Sequence, residues 1–160
     1  MSLKLSRIII NSKRRSWANN MRFVDASVFL YAYLKPKKKM LREKVIVMKD
    51  RAKEIVRRID EGENVITTLV HLSEIANIVE SKVNNVEAAK VVINIMSKPN
   101  IDVLDVRKDE YLEAAKIAKK INVGVNDALA YIVMKKRRVK EIYSFDSDFD
   151  KFEDIRRITE

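Results

Sequence analysis

The segment Phe23-Val24-Asp25-Ala26-Ser27 carries the clearest structural signal in the chain, an acid between a strand-like pair and a helix. Phe and Val favour strands, and the pattern from Ala26 to Leu34 is helical until Pro36 closes it. A strand that runs directly into a helix begins a β–α unit. We therefore expect Asp25 at the carboxyl end of a strand, immediately before a helix.

The same alternation of short β-rich runs and helical stretches continues along the chain. Because helices separate most of the strands, the connections are crossovers, which join parallel strands. We predict an α/β fold whose mostly parallel sheet is covered on both faces, with a functional crevice beyond the carboxyl ends of the strands. The further predicted strands are Val65–Thr68, Ile101–Val106, Glu141–Phe145 and Ile155–Ile158; the further predicted helices are Lys37–Glu61, Leu69–Lys82, Val86–Ser97, Lys108–Lys120 and one from Asn126 or Asp127 to Arg138.

The composition excludes several kinds of functional site. The 160 residues suffice for one domain, and the 47% hydrophobic and 35% charged fractions predict a buried core under a charged surface. The chain has no Cys, which excludes disulfides, thiolate zinc sites and a cysteine nucleophile. The single histidine, His71, argues against a His-rich metal site or a His-based triad. Chemistry is left to carboxylates, hydroxyls and cations.

The charge of the chain is strongly positive and unevenly distributed. Lys and Arg number 33 against 23 acidic residues, a formal net charge of +10, which favours nucleic acid first and an anionic membrane surface second as partners. The apolar runs are too short for a membrane span or a signal peptide, so we expect a cytoplasmic protein with no membrane partner. Residues 1–20 hold five cations and no acid, and we interpret them as a basic N-terminal appendage to a domain spanning residues 21–160.

Five acidic residues lie where this fold would place a functional site, although Asp is also a common helix cap and turn residue. Glu74 borders the buried stripe of its helix, where a charge must be exposed, paired or metal-bound. His71, three residues earlier, is interpreted as a helix-surface or supporting residue and not as a ligand. Carboxylate oxygens without thiolates suit Mg²⁺ or Mn²⁺, and on a basic protein they indicate phosphodiester chemistry. The five acids are Asp25, Glu74, Asp127, Asp146 and Asp148.

The segments that carry these acids resemble the motifs of the PIN-domain family of metal-dependent nucleases, in particular the toxin ribonucleases of prokaryotic toxin–antitoxin pairs. The resemblance extends from about Met21 to Ile158. It implies a three-layer α/β/α sandwich, endonuclease cleavage of single-stranded RNA with Mg²⁺ or Mn²⁺, a homodimer, and an antitoxin protein as a partner. The matching segments are Phe23-Val24-Asp25-Ala26-Ser27, Leu72-Ser73-Glu74-Ile75, Val125-Asn126-Asp127-Ala128-Leu129-Ala130 and Tyr143-Ser144-Phe145-Asp146-Ser147-Asp148-Phe149.

The resemblance also implies roles for individual residues. Asp148 matches a position that is often Asp or His and would be an auxiliary metal ligand. Ser27 and Ser144 would be auxiliary hydroxyls that orient a carboxylate. One departure is Phe145, where a small polar residue is common, but this departure removes no ligand. The catalytic and metal-binding acids would be Asp25, Glu74, Asp127 and Asp146.

Two basic runs are candidates for contact with the RNA backbone, although a charge run is usually a solvated face. The first run follows the first predicted helix, and the second ends the last one. The candidates are Lys35, Lys37, Lys38, Lys39 and Arg42 in the first run, and Lys135, Lys136, Arg137 and Arg138 in the second.

Two other functions fit parts of the pattern. An aspartate-based phosphatase would use Asp25 as its nucleophile, but haloacid-dehalogenase-like enzymes have a second Asp two residues later, where this chain has Ser27. A non-catalytic RNA- or protein-binding module that keeps the fold is the second alternative, and the presence of all four acids argues against it. Metal-dependent cleavage of RNA distinguishes the nuclease from both.

Overall fold

The structure is a computed structural model that describes residues 21–36 and 43–160. The predicted appendage at residues 1–20 and the RNA contacts predicted for Lys37, Lys38, Lys39 and Arg42 lie outside the described residues. The described elements are β1 (Arg22–Val24), α1 (Ala26–Tyr33), α2 (Glu43–Asp60), β2 (Val65–Thr68), α3 (Leu69–Lys82), α4 (Asn85–Met96), β3 (Ile101–Leu104), α5 (Lys108–Ile121), α6 (Val125–Arg137), β4 (Glu141–Tyr143), a short 3-10 helix (Ser147–Lys151) and β5 (Arg156–Ile158).

The five strands in the described part of the chain form one sheet with the order β3-β2-β1-β4-β5, and every neighbouring pair is parallel. Strand β1 lies in the middle, where Phe23 is in register with Ile66 of β2 and Ile142 of β4. The strand order reverses direction at β1, which makes it the topological switch point of the sheet. The predicted parallel sheet is therefore confirmed, and a functional crevice is expected beyond the carboxyl end of β1.

Helices cover both faces of this sheet. On one face α5 and α6 pack around Phe23, Ile142 and Phe149, all fully buried. On the other face α1, α2, α3 and α4 enclose a second apolar core that includes Ile55 and Tyr143. Burial of each large apolar side chain contributes roughly 1.5–3 kcal/mol, so both helical layers are held to the sheet. The predicted α/β/α sandwich is confirmed. Among the described helices, none has the length and hydrophobicity required to cross a membrane.

Helix α6 begins earlier than the sequence pattern predicted. Gly124 occupies its N-cap with an extended backbone, and Val125 is the first helical residue. Asp127 therefore lies in the first turn of the helix and not at its N-cap. A carboxylate in this turn lies close to the positive end of the helix dipole.

Strand β4 ends at Tyr143, two residues before the predicted end. The next residues leave the sheet because their backbone is held by side chains. The hydroxyl of Ser27 accepts a hydrogen bond from the N–H of Phe145 at 3.1 Å, and the hydroxyl of Ser144 accepts one from the N–H of Asp146 at 3.0 Å. This bend brings the acids that follow β4 next to the end of β1.

Candidate active site

The five predicted acids are carried by four different parts of the fold. Asp25 follows β1, and Asp146 lies three residues after β4 at the N-cap of the 3-10 helix that contains Asp148. Glu74 lies on α3, and Asp127 lies in the first turn of α6. Parallel pairing of β1 with β4 places the first two of these segments side by side, and a hydrogen bond of 3.0 Å joins the N–H of Asp25 to the carbonyl of Tyr143.

Three of the acids form a compact group. Asp127, Asp146 and Asp148 each contribute a carboxylate oxygen, and these oxygens all lie within 4.8 Å of one another. Because Mg²⁺ binds oxygen at about 2.0–2.1 Å, two ligands of one such ion are at most about 4.2 Å apart. The group is therefore close to the spacing that a single divalent cation requires.

Asp127 has the most altered acidity in this group. Burial, first, and the charges of the neighbouring carboxylates together raise its pKa to about 7. The neighbours that contribute are Asp146, Asp25, Asp148 and Glu74, in that order. All five acids are consequently within electrostatic reach of one another, and an added cation would relieve their repulsion.

Glu74 is held by an amide that the sequence pattern did not single out. The side-chain amide of Asn126 donates a hydrogen bond to Glu74 Oε2 at 2.8 Å. Burial raises the pKa of Glu74, the bond from Asn126 opposes that increase, and the charges of Asp25 and Asp146 add to it. Asn126 therefore fixes one carboxylate oxygen and favours its ionised form. The two residues are 52 positions apart, and no local pattern connects them.

The Asp25 carboxylate is held by two hydroxyls. Ser27 Oγ donates to Asp25 Oδ2 at 2.6 Å, and Ser144 Oγ donates to the same oxygen at 2.8 Å. Asp25 occupies the N-cap of α1, but its side chain makes no capping hydrogen bond. The simple helix-cap interpretation of Asp25 is thus wrong, and both serines contact it as the orienting role would require. Only 6% of Asp25 is exposed.

Asp146 combines a structural contact with its place in the acidic group. Its Oδ1 accepts a hydrogen bond from the N–H of Asp148 at 2.9 Å and so caps the 3-10 helix. Asp148 in turn pairs with Lys151 at 2.9 Å. Part of the Asp148 charge is therefore already compensated, which agrees with an auxiliary position.

Two further residues, one beside Asp127 and one beside His71, were not singled out by the sequence pattern. Gly124 is one of two glycines in the chain, and a Cβ built on it would lie 2.8 Å from Asp127 Oδ2. The absence of a side chain there leaves room for the carboxylate. Thr68 ends β2, and its hydroxyl both caps α3 and contacts His71 Nδ1 at 2.7 Å.

His71 is fully buried, so the helix-surface interpretation of this residue was wrong. Its ring packs edge-on against Phe23, with the centroids 5.0 Å apart. Burial lowers the pKa of His71, whereas Asp25 and the backbone carbonyl of Asn126 act to raise it. The ring nitrogen Nε2 makes no well-formed hydrogen bond. His71 is therefore a buried, neutral supporting residue, and it is not part of the compact group formed by Asp127, Asp146 and Asp148.

The basic candidates at the end of α6 lie away from the acids. Lys135, Lys136, Arg137 and Arg138 end α6, whereas Asp127 lies in its first turn. At 1.5 Å per residue this separation is roughly 15 Å along the helix. Lys135 pairs with Asp154, and Lys136 pairs with Glu110 at 2.7 Å. Contact between these cations and RNA stays a prediction.

The comparisons with known proteins agree with the fold. The structure is similar to the crystal structure of VapC20 from Mycobacterium tuberculosis, a sarcin-ricin loop cleaving toxin, with a TM-score of 0.64. The two chains are 19% identical, and the match covers 81% of this chain and 92% of that chain. No curated protein matches this sequence significantly. The family profile of the PIN domain matches residues 22–155, and the chain therefore belongs to the PIN domain family.

Proposed function

We propose that this protein is a metal-dependent endoribonuclease that cleaves phosphodiester bonds of single-stranded RNA. The observation that carries the proposal is the convergence of Asp127, Asp146 and Asp148, with Asp25 and Glu74 in electrostatic reach, in a member of the PIN domain family. The net charge of +10 on the whole chain supports a polyanionic substrate.

The residues present fit a divalent cation. The donor set consists of carboxylate oxygens, which suit Mg²⁺ or Mn²⁺. Asp127, Asp146 and Asp148 would hold the ion directly, and Asp25 and Glu74 would complete the acidic site. When bound, the ion would supply Lewis-acid chemistry: activation of a water and stabilisation of charge on the phosphate and the leaving oxygen.

The chain's own residues would hold the carboxylates in place for that chemistry. The hydroxyls of Ser27 and Ser144 orient Asp25, and the amide of Asn126 orients Glu74. Groups held by such contacts lose less freedom when substrate binds, which is the basis of preorganised catalysis. Without a cation the pKa of Asp127 is raised to about 7 by burial and by the neighbouring carboxylates, and a bound cation would oppose both effects.

We further propose that the protein is the toxin of a toxin–antitoxin pair, acts in the cytoplasm, and forms a homodimer. The likeness to a bacterial toxin structure supports the first of these suggestions. An exposed apolar row on and beside α4 supports a protein interface, since isolated apolar residues are common on surfaces but contiguous ones mark contacts. This row consists of Val83, Val86, Ile93 and Met96, each 53–68% exposed.

A cleavage assay with single-stranded RNA tests the proposed activity. We expect cleavage with Mg²⁺ or Mn²⁺, none with EDTA, and at least a hundredfold loss of rate in Asp127→Asn. The matched control is Asp102→Asn, which makes the same chemical change at an exposed position on β3 and should cleave like the wild type.

Two outcomes would contradict the proposal. Binding of RNA without cleavage at any metal concentration would favour the non-catalytic module. Release of phosphate from a phosphomonoester without RNA cleavage would favour the phosphatase, in which case Asp25→Asn would abolish a covalent phosphoenzyme.

A further inference from the structure

The inference concerns Tyr111, an exposed aromatic residue that the sequence analysis did not mark and that lies on α5 outside every motif quoted above. It rests on the proposed function, because it names a contact for the single-stranded substrate. Tyr111 is 42% exposed, and its neighbour Leu112 is 57% exposed.

Two hydrogen bonds connect this tyrosine to the acidic site. The hydroxyl of Tyr111 donates to Asn126 Oδ1 at 3.2 Å, and the amide of Asn126 donates to Glu74 Oε2 at 2.8 Å. Asn126 also directly precedes Asp127 in the chain. The tip of the Tyr111 side chain is therefore held at the edge of the site, while much of the residue remains in contact with solvent.

The contacts of Tyr111 limit what the residue can do. Its hydroxyl donates its hydrogen to Asn126 and can only accept a further hydrogen bond, so the main surface available to a ligand is the ring. A tyrosine anchored at its hydroxyl presents a flat apolar surface at a low cost in conformational entropy. Rings of this kind bind single-stranded nucleic acids by stacking on bases, a contact that accepts any base because every base has a π-face.

The negative charge of the acidic site explains why an uncharged contact would help RNA to bind. The five acids repel the phosphates of RNA when no cation is bound, whereas stacking on a base is not opposed by that repulsion. A base held on Tyr111 would keep the adjoining phosphate near the carboxylates. We propose that Tyr111 is a stacking residue for a nucleobase of single-stranded RNA, next to the phosphate that is cleaved.

Equilibrium binding of a labelled single-stranded oligoribonucleotide, in EDTA and at low salt, tests this role without requiring cleavage. We expect Tyr111→Leu to weaken binding about tenfold, because one stacking contact is lost. Tyr111→Phe keeps the ring and loses the hydroxyl, and it should bind within about threefold of the wild type. The matched control is Tyr33→Leu: Tyr33 is 39% exposed and lies at the opposite end of α1 from Asp25.

A series of oligonucleotides, each without the base at one position, identifies the base that contacts Tyr111. At one position, loss of the base should weaken binding by the wild type about tenfold and leave binding by Tyr111→Leu unchanged. All variants should melt within about 3 °C of the wild type, since the changes are on the surface.

Three results would overturn the role. The first is that Tyr111→Leu binds RNA as the wild type does, the second is that Tyr111→Phe loses as much binding as Tyr111→Leu, and the third is that no position of the RNA responds to the ring. If the wild type cleaves RNA in the presence of metal while any of these results holds, only the stacking role fails. If the wild type neither binds nor cleaves RNA, the proposed function fails together with it.

Discussion

Asp127 is a residue whose ionisation opposes folding when no cation is present. Its pKa of about 7 lies above the ordinary value of 3.8, so the folded state binds the extra proton between these two pH values. A carboxyl with a raised pKa therefore destabilises the folded protein progressively as the pH rises through that interval. Above it, the full penalty is present.

Replacement of this acid should therefore stabilise the metal-free protein in a pH-dependent way. A pKa difference corresponds to about 1.4 kcal/mol per unit, and this figure is discounted because the side chain is partly exposed to screening solvent. We therefore expect Asp127→Asn to gain about 1–2 kcal/mol in free energy of unfolding at pH 8. It should gain almost nothing at pH 4. Urea unfolding in EDTA at both pH values measures this gain. Asp102→Asn is the control, and an equal gain at pH 4 and pH 8 would show that ionisation is not the cause.

Gly124 affects the same carboxylate sterically, and not through charge. Its backbone angles, φ −63° and ψ 148°, are accessible to alanine, but the added Cβ would lie 2.8 Å from Asp127 Oδ2. We expect Gly124→Ala to fold, to lose less than about 1 kcal/mol of stability, and to bind Mn²⁺ about tenfold more weakly because the carboxylate is displaced. Calorimetric titration with Mn²⁺ measures the affinity.

A change at another helix N-cap provides the control for this variant. Asn84 caps α4 by accepting a hydrogen bond from the N–H of Glu87 at 2.8 Å. Asn84→Ala should cost about 1 kcal/mol and leave Mn²⁺ affinity unchanged. Unaltered Mn²⁺ affinity in Gly124→Ala would mean that Asp127 does not need the space that Gly124 leaves.

At the scale of elements, two hydroxyls join the ends of β1 and β4, and one of them belongs to Ser144. Ser144 Oγ donates to Asp25 at 2.8 Å and accepts from the N–H of Asp146 at 3.0 Å. Ser144→Ala leaves a buried carboxylate and a backbone N–H each with one partner fewer. We expect a loss of about 1–3 kcal/mol in chemical unfolding, whereas Ser97→Ala, at an exposed serine, should lose less than about 0.5 kcal/mol. Equal losses would show that the link between the strands is energetically unimportant.

At the scale of the whole molecule, we predict that the basic N-terminal residues strengthen binding of RNA through their charge. Deletion of residues 1–20 removes five cations and no acid, so the formal net charge falls from +10 to +5. The salt dependence of single-strand binding has a slope of about −0.7 per neutralised phosphate, which sets an upper limit of about 3.5 on the change in slope. We expect a change of about 1–2, because only some of the cations contact phosphates at once.

Titration of RNA binding at several salt concentrations measures this slope. The alternative is that Ile8, Ile9, Ile10 and Trp17 pack against this chain or a second copy. Deletion would then lower the melting temperature or dissociate the dimer, with the salt slope unchanged. Measuring both quantities on the same shortened protein distinguishes the two cases.

The proposed homodimer makes a further prediction at this scale. Ile93, 68% exposed on α4, would be buried in an interface formed by the apolar row of that helix. Ile93→Lys should shift the protein from dimer to monomer in sedimentation and leave its secondary structure intact, because a charge in an apolar interface is costly. Leu112→Lys, at an exposed leucine on α5, is the control. A monomeric wild type would refute the dimer.

Much of the fold could be predicted because its signals are local. Alternation of apolar residues, a Pro or Gly at an element end, and an acid after a strand are each visible within a few residues, and they led to the parallel sheet and to Asp25, Glu74, Asp127 and Asp146. The boundary error at β4 arose where a side chain from a distant segment holds the backbone, as Ser27 holds Phe145.

The sequence by itself determined which acids are present, in which order, and on which kind of element. Only the tertiary structure decided which groups meet: Asn126 with Glu74 across 52 residues, and Ser144 with Asp25 across 119. It also decided that His71 is buried and that Asp127 has a pKa of about 7. The physical reason is that local periodicity depends on neighbouring residues, whereas burial, charge proximity and hydrogen bonds between distant segments exist only after the chain has packed.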